Sequence, residues 1–410
     1  MKRFSRSALS AMLLAGLAAC GDQATTPVLP GDAPVRLSEG EAPLPHLVLF
    51  SGSGPADFSA RVAALGGTVE FNHPSGIAVV AGLTDAAAAE LRAGKGIADV
   101  QRDEAFHVDV AGAADAPESV AADAASAAAP ATALFYPRQW GMRAIGADRA
   151  WAAGRLGSSG VTVAILDTGI DYTHPDLAGL VDLSRSVSFV PSDDRLAAAR
   201  FPGRHPVIDL RYHGTHVAAT VSSNALNAAG MTSRVKLMGV KVLDVNGNGS
   251  FNAVIQGVLY AADNGADVIN MSLSGAFGRA GNGRYVGYIN KVFGEAHRKG
   301  VTVVLAAGND ARDFDHDGSL FETYCSAQNT VCVAATGPTG SAGVNGPFVN
   351  VDAPAPYTNF GRSAISVAAP GGSQSYVWAA CSRFSLIYPV CGTGAYVLGL
   401  NGTSMAAPHV

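Results

Sequence analysis

The chain has 410 residues, of which 48% are hydrophobic and 15% are charged, and its formal net charge is −5 at pH 7. Its length exceeds that of one ordinary small domain, and its hydrophobic content excludes the disordered class for most of the chain. No long run of Lys or Arg is present, so the sequence lacks the electrostatic signature of a nucleic-acid-binding protein.

The N-terminus has the pattern of an export signal. A basic start is followed by an apolar run at 8–19 that is too short to span a membrane, and residues 1–20 therefore predict a signal peptide. Leu17-Ala18-Ala19-Cys20 resembles a bacterial lipobox, which would make Cys20 a lipidated membrane anchor. The alternative is an ordinary signal peptide that contains a cysteine. We expect export to the cell envelope, as an outer membrane lipoprotein, or to the medium after processing.

The next segments predict a tether, a small domain and a linker. Residues 21–44 are rich in Pro, Thr and Gly and indicate a flexible tether. Residues 45–107 predict a β-α-β-β-α-β unit, the ferredoxin-like α+β arrangement, which also occurs in free-standing binding modules. Its strands are expected at 46–50, 67–71, 76–82 and 97–102, and its helices at 55–65 and 84–93. Residues 108–134 are dominated by Ala, Asp, Pro and Ser and predict a linker, with proteolytic cleavage between Val110 and Tyr136.

Residues 135–410 predict an α/β domain with a doubly wound, mostly parallel sheet. Apolar strand patterns alternate with helix patterns, which is typical of a sheet covered on both faces. The strands are expected at 161–166, 235–242, 268–271 and 301–306, and the helices at 213–222, 252–262 and 288–299. Functional side chains of such sheets gather at the carboxyl ends of the strands.

Three polar residues in this domain are candidates for nucleophilic catalysis. Asp167 follows an apolar strand, although an Asp there can also cap a turn or serve phosphoryl transfer. His213 begins a helix, and metal binding with His216 is disfavoured because the glutamate of zinc-protease helices is missing. Ser404 follows Gly402-Thr403 and precedes small residues that begin a helix. A serine hydroxyl needs a neutral imidazole oriented by a carboxylate, and these three residues supply those parts.

The three motifs DTGI, HGTHVA and GTSMAAPHV, in this order, resemble the signatures of the subtilisin-like serine peptidases of the subtilisin and proteinase K type. The resemblance covers nearly all of residues 135–410, including Gln139-Trp140-Gly141. It implies a secreted serine endopeptidase precursor that cleaves polypeptides through an acyl-enzyme and requires no cofactor for catalysis. It also implies that residues 45–107 are an inhibitor propeptide that assists folding and blocks the site.

The same resemblance implies further site residues. Asn309 matches the oxyanion-hole asparagine, which acts together with the backbone N–H of Ser404. Without the resemblance it would be interpreted as a turn residue. Ser272, Leu273, Ser274 and Gly275 resemble the strand that pairs with an extended substrate.

Acidic residues and cysteines complete the candidate sites. Asp313, Asp315 and Asp317 form half of an EF-hand pattern, whose twelfth position is Tyr324 instead of Glu. The motif is therefore compatible both with a structural calcium site and with a solvated acidic loop. Four cysteines beyond Cys20 allow three disulfide pairings, and short loops favour Cys325 with Cys332 and Cys381 with Cys391.

Two features depart from the family pattern. Arg211-Tyr212 precedes His213, where relatives more often carry Gly, and the chain ends six residues after Ser404. A helix that short is marginal in isolation, so either the protein is longer or Ser404 is poorly held. The alternative function is accordingly an inactive, lipid-anchored peptide-binding relative. An esterase is a further alternative, although its Gly-x-Ser-x-Gly motif is absent.

Overall fold

The computed structural model describes residues 44–108, 117–120, 129–278, 283–316, 318–322 and 324–410. The predicted signal peptide with Cys20, most of the tether, much of the linker and Asp317 lie outside these ranges. In the described ranges we find no helix with both the length and the apolar content needed to cross a bilayer.

The helices and strands are numbered in chain order. The strands are β1 His46–Phe50, β2 Thr68–His73, β3 Ile77–Ala81, β4 Ile97–Arg102, β5 Ala105–His107, β6 Glu118–Val120, β7 Thr162–Asp167, β8 Val187–Ser188, β9 Lys236–Lys241, β10 Asn248–Ser250, β11 Val268–Met271, β12 Ala276–Gly278, β13 Thr302–Ala306, β14 Leu320–Glu322, β15 Thr330–Thr336, β16 Gly340–Ser341, β17 Phe348–Val349, β18 Val367–Pro370, β19 Val377–Ala380 and β20 Ala395–Leu400. The α-helices are α1 Phe58–Ala64, α2 Asp85–Ala93, α3 Trp140–Ala144, α4 Ala147–Ala152, α5 Pro191–Arg200, α6 His213–Val221, α7 Phe251–Asp263, α8 Tyr285–Arg298 and α9 Thr403–Ala406.

The small N-terminal unit has the predicted ferredoxin-like fold. Its antiparallel sheet has the order β2-β3-β1-β4, and α1 and α2 cover one face. Thr84 caps α2 as expected, because its side chain accepts a hydrogen bond from the Ala87 N–H at 3.2 Å. Val48 points to the helices of this unit, whereas Leu47 joins the core that includes α7 and α8. The sheet is therefore buried on both faces, which explains the unbroken apolar run of β3.

The large domain contains the predicted parallel sheet, with the strand order β18-β15-β13-β11-β7-β9-β8. The interior strand β7 is buried throughout. Its alternate residues serve two cores, since Val163 and Ile165 face the core of α6, and Ala164 and Leu166 face the core of α7 and α8. The fold class predicted from the strand and helix patterns is confirmed.

Several elements were not foreseen from the sequence. Among them are β15, β18 and α5. The strand β18 has only four residues and ends in Pro, and α5 is mostly polar, so both carry little periodic signal. The seven residues of β15 have a strand-like composition and were overlooked. Within the predicted linker, β6 forms a third strand on the β19–β20 hairpin. The described cysteines pair as favoured, Cys325 with Cys332 and Cys381 with Cys391.

Candidate active site

Asp167 and His213 form a buried hydrogen-bonded pair at the carboxyl end of β7. The His213 Nδ1–H donates to Asp167 Oδ1 at 2.7 Å and to Oδ2 at 2.9 Å. The Thr168 N–H donates to the same carboxylate at 2.7 Å. Because Nδ1 carries the proton, Nε2 of the neutral imidazole is an acceptor. Nε2 is buried and has no hydrogen-bond partner, so it is available to accept a proton.

Gly214 allows this pair to form. A Cβ placed on Gly214 would lie 2.2 Å from the Gly169 carbonyl oxygen and 3.1 Å from Asp167 Cβ. The 2.2 Å distance to a backbone oxygen is sterically forbidden, so only glycine lets the first turn of α6 approach the end of β7 this closely.

Asp209 is a buried residue of this site that sequence reasoning missed. Its carboxylate accepts the Thr168 hydroxyl at 2.9 Å and both the N–H and the hydroxyl of Thr215, at 2.9 and 2.7 Å. Thr168 in turn accepts the Gly214 N–H at 2.9 Å. Burial raises the pKa of Asp209. The network ties the strand of Asp167 to the helix of His213, and a lone Asp in a non-periodic segment gives no sequence signal for this role.

His216, the other histidine of the motif, has a different environment. Its Nε2 lies 3.0 Å from the Leu398 carbonyl oxygen and 3.2 Å from that of Val377, so this nitrogen carries a proton. Burial lowers the pKa of His216 to about 3. Because Nε2 carries this proton, it is not a metal-binding nitrogen. Across the described segments, no group of three or more His, Cys, Asp or Glu side chains is arranged to hold a metal.

Ser404 is held by a reciprocal contact with Ser272. The Ser404 hydroxyl donates to the Ser272 carbonyl at 3.1 Å, and the Ser272 hydroxyl donates to the Ser404 carbonyl at 2.7 Å. The four residues of α9 are buried, and Ala406 packs in an apolar cluster with residues of β13, β15 and β18. Tertiary packing therefore stabilises a helix that would be marginal in isolation.

Asn309 lies beside Ser404 and is oriented by Thr403. Asn309 Oδ1 accepts the N–H and the hydroxyl of Thr403 at 2.9 and 3.0 Å. A Cβ placed on Gly402 would lie 3.7 Å from the Ser404 nitrogen and 3.8 Å from Asn309 Nδ2. The Ser404 backbone nitrogen and Asn309 Nδ2 thus both lie within 4 Å of the space that a side chain at 402 would fill.

Asn359, also missed from the sequence, holds the loop that carries Asn309. Its Oδ1 accepts the Asp310 and Arg312 N–H groups at 3.0 and 2.9 Å, and its Nδ2 donates to the Ala307 carbonyl at 2.9 Å. These hydrogen bonds fix the backbone both before and after Asn309 in the sequence. A lone Asn 50 residues downstream could not have been selected from its local pattern.

Comparisons with known proteins agree with this geometry. The profile of the subtilase family (peptidase S8) matches residues 158–410. The chain belongs to the subtilase family. Subtilases are serine-type endopeptidases, so the predicted enzyme class is confirmed.

Curated relatives of this subtilase include three proteases. It is 34% identical to thermitase of Thermoactinomyces vulgaris over 284 residues, or 68% of this chain and 82% of thermitase. It is 32% identical to the thermophilic serine proteinase of Bacillus sp. (strain AK1) over 284 residues, 68% of this chain and 57% of that protein. It is 33% identical to subtilisin E of Bacillus subtilis (strain 168) over 276 residues, 66% of this chain and 58% of that protein. The chain thus spans less than two thirds of the last two relatives.

A solved structure shares the fold. The epidermin leader peptide processing serine protease of Staphylococcus aureus matches with a TM-score of 0.66 and 20% identity, covering 90% of this chain and 86% of the other. A match over 90% of this chain includes both the large domain, which has the subtilase fold, and the small α+β unit before it.

The predicted substrate strand of this subtilase is partly buried. Ser272 and Leu273 are buried, and Ser274 and Gly275 are half-buried. Ser272 contacts Ser404, Leu273 packs in the core that includes α7 and α8, and Ser274 and Gly275 reach the surface.

The acidic loop of this subtilase uses its carboxylates locally. Asp315 accepts the Arg362 and Ser363 N–H groups at 2.8 and 2.9 Å, and these hydrogen bonds, with the Ser363 side chain, lower its pKa to about 2. Asp313 accepts the Asp315 N–H at 3.0 Å and contacts His316 at 2.7 Å. These contacts involve the two carboxylates of the loop that the structure describes, and Asp317 lies outside the described residues.

The small unit of this subtilase docks against the large domain. Strand β5 pairs antiparallel with β10, and the Val108 N–H donates to the Gly247 carbonyl at 3.0 Å. Asp103 caps α7, because its Oδ1 accepts the Asn252 N–H at 2.9 Å. Further contacts join Tyr288 to the Leu47 carbonyl at 3.0 Å.

Proposed function

We propose that this subtilase is a secreted serine endopeptidase precursor whose catalytic residues are Asp167, His213 and Ser404. The observation that carries the proposal is the buried Asp167–His213 pair, whose Nε2 is held as an unpartnered acceptor. The alternative of an inactive peptide-binding relative is less well supported, because a binder would not require a buried imidazole with an unused acceptor nitrogen.

The first step of the proposed reaction requires a rotation of the Ser404 side chain. Its hydroxyl now donates to the Ser272 carbonyl, and it must leave this hydrogen bond before it can donate to His213 Nε2. Nε2 then takes the hydroxyl proton while Oγ bonds to the substrate carbonyl carbon. The resulting oxyanion accepts hydrogen bonds from Asn309 Nδ2 and the Ser404 N–H.

The remaining steps return the enzyme to its starting state. Protonated His213 gives its proton to the leaving amine, the carbon–nitrogen bond breaks, and an ester to Ser404 remains. Water then loses a proton to His213 and attacks the ester, which releases the acid product and restores the hydroxyl. Asp167 stays charged and stabilises the imidazolium.

An active-site fluorophosphonate probe tests this function. We expect labelling of the processed chain and no labelling of the Ser404→Ala variant. A folded, processed chain that is never labelled would support the inactive relative. Casein hydrolysis measured beside short-ester hydrolysis separates the endopeptidase from an esterase.

We also propose that residues 45–107 are an intramolecular inhibitor that is removed between Val110 and Tyr136. The pairing of β5 with β10 supports this proposal, because it places an extended segment of the chain on an edge that a substrate strand could use. N-terminal sequencing of the processed protein tests it. A mature start at Gln23, or within the large domain, would contradict it.

Export and lipidation at Cys20 are proposed from the sequence alone. Mass spectrometry of the N-terminal peptide tests lipidation, and an unmodified mature N-terminus would contradict it. Calcium in the Asp313 loop stays a prediction, and equal thermal stability with calcium or chelator would argue against it.

A further inference from the structure

The segment directly before His213 is held by a distant loop of the chain. Three consecutive carbonyls accept hydrogen bonds from residues of the loop 381–391. Ser382 Oγ donates to the Asp209 carbonyl at 2.6 Å, and the Leu386 N–H donates to the Leu210 carbonyl at 2.8 Å. Ser385 Oγ donates to the Arg211 carbonyl.

Aromatic packing extends this contact to the residue adjacent to His213. The Tyr212 and Tyr388 rings lie 5.0 Å apart at an interplanar angle of 54°. Tyr212 is one of the two residues that depart from the family pattern. Its ring adds a packing contact between the loop and this segment, which a glycine at this position would not provide.

A second series of contacts joins the loop to α6. The Arg383 N–H donates to Asp171 Oδ2 at 2.8 Å, and the Asp171 N–H donates to Thr215 Oγ1 at 3.0 Å. Thr215 lies in the first turn of α6. The first turn of the helix is therefore linked to one loop through both Asp209 and Asp171.

A disulfide closes this loop. Cys381 and Cys391 are fully buried, and their bond cross-links two positions 10 residues apart at the end of the β19–β20 hairpin. Without the bond, the 14 residues between β19 and β20 would have to be ordered by non-covalent contacts alone, at a higher cost in loop entropy.

The contacts connect the loop to the Asp167–His213 pair through Asp209. The loop positions the Asp209 backbone, and the Asp209 carboxylate positions Thr168 and Thr215 on either side of the pair. A shift of the segment 209–212 would therefore change the orientation of the imidazole. Misplacement of a reacting group by about 1 Å can lower a rate on the order of a hundredfold.

We propose that the disulfide-closed loop 381–391 is a positioning device for His213. The loop acts through the segment 209–212 without touching the reacting atoms. This inference rests on the proposed function, because it requires His213 to be the catalytic base.

The test compares two double variants. Cys381→Ser with Cys391→Ser opens the loop. Cys325→Ser with Cys332→Ser removes the other disulfide, which among the described residues has no hydrogen bond to the segment 209–213 and so serves as the matched control. For the first variant we expect kcat to fall about tenfold to a hundredfold with KM within about threefold. We also expect the acid limb of its kcat–pH profile to move, because the Asp167–His213 geometry changes. The control should keep the wild-type profile.

A second pair of variants keeps the test informative if the opened loop fails to fold. Ser382→Ala removes the hydrogen bond to the Asp209 carbonyl, and Ser341→Ala removes a surface serine as its control. Ser382→Ala should move the pH profile in the same direction with a smaller loss of kcat, and Ser341→Ala should not. Unchanged kcat and pH profile in both loop variants, with an active wild type, would overturn the positioning role alone. A wild-type chain that neither hydrolyses casein nor takes up the fluorophosphonate would overturn the proposed function and this inference together.

Discussion

Replacing Asp103 by Asn should change how inhibition by the small unit depends on pH. Asp103 is 3% exposed and lies between the small unit and the N-terminus of α7. Burial raises the pKa of Asp103 from its ordinary value of 3.8 to about 7. The neighbouring Glu104 also has a pKa raised by burial, and its carbonyl accepts the Phe251 N–H at 2.9 Å.

The direction of the pH dependence of docking follows from the number of protons bound in the free and the docked states. Between pH 4 and 7 the free small unit carries a charged Asp103, whereas the docked unit carries a protonated one, so docking takes up a proton. Docking should therefore be tightest at low pH, weaken as the pH rises through this window, and stay constant above it. The difference between 3.8 and about 7 corresponds to about 4 kcal/mol, or about a thousandfold in affinity, as an upper bound. Because buried sites relax, we expect on the order of a hundredfold.

The assay adds residues 44–108 in trans to the processed enzyme and measures Ki from pH 4.5 to 7.5, with the uninhibited rate recorded at each pH. For Asp103→Asn, which keeps the Oδ1 acceptor but does not titrate, Ki should vary far less over this range. Its Ki at pH 7.5 should be lower than that of the wild type. Asp57→Asn is the matched control, because that side chain is 59% exposed and its pKa is lowered by Arg61, so it titrates below the window. A wild-type Ki that is flat or falls with rising pH would refute the reasoning, as would an Asp103→Asn slope equal to that of the wild type.

Further predictions concern the site and its supports. Asn309→Ala should lower kcat on the order of a hundredfold to a thousandfold with little change in KM, measured on a peptide substrate; a loss confined to KM would argue against the oxyanion role. Gly214→Ala should destabilise the fold by about 1–3 kcal/mol or more, whereas the helical control Gly294→Ala, which meets only a flexible side chain, should be neutral or stabilising in thermal unfolding. Lys241 Nζ and Asp193 Oδ2 form a buried pair at 3.6 Å. Lys241→Met should therefore lower the free energy of unfolding by about 3–5 kcal/mol. The double variant Lys241→Met with Asp193→Asn should regain part of that free energy, because the carboxylate that was left without its partner is removed. Equal chemical-denaturation midpoints for the single and double variants would show that the two groups are not coupled.

The strands and helices that carry the candidate site could be predicted because their periodicity is strong. Strand β7 is continuously apolar, since it lies in a sheet covered on both faces, and α6 begins at the residue expected. The ferredoxin-like order of strands and helices in the small unit could be predicted in the same way. The edge strand β18 and the strand within the linker were missed, because short segments with mixed composition resemble loops.

Residues that support the site were not predictable, although the site itself was. Asp209 lies 42 residues from Asp167, and Asn359 lies 50 residues from Asn309. Neither belongs to a motif. Local patterns report whether a side chain is buried, but they do not report which distant group satisfies its hydrogen bonds.

The sequence by itself determined the family, the fold class and the identity of Asp167, His213 and Ser404 as candidates, because backbone periodicity and motif spacing are local properties. The tertiary structure decided how those candidates are held. It placed the Ser404 hydroxyl on the Ser272 carbonyl, buried Asp209 beneath the pair, and brought the loop 381–391 onto the segment before His213. These contacts join residues far apart in the chain, and their geometry depends on how whole layers pack, which no local pattern encodes.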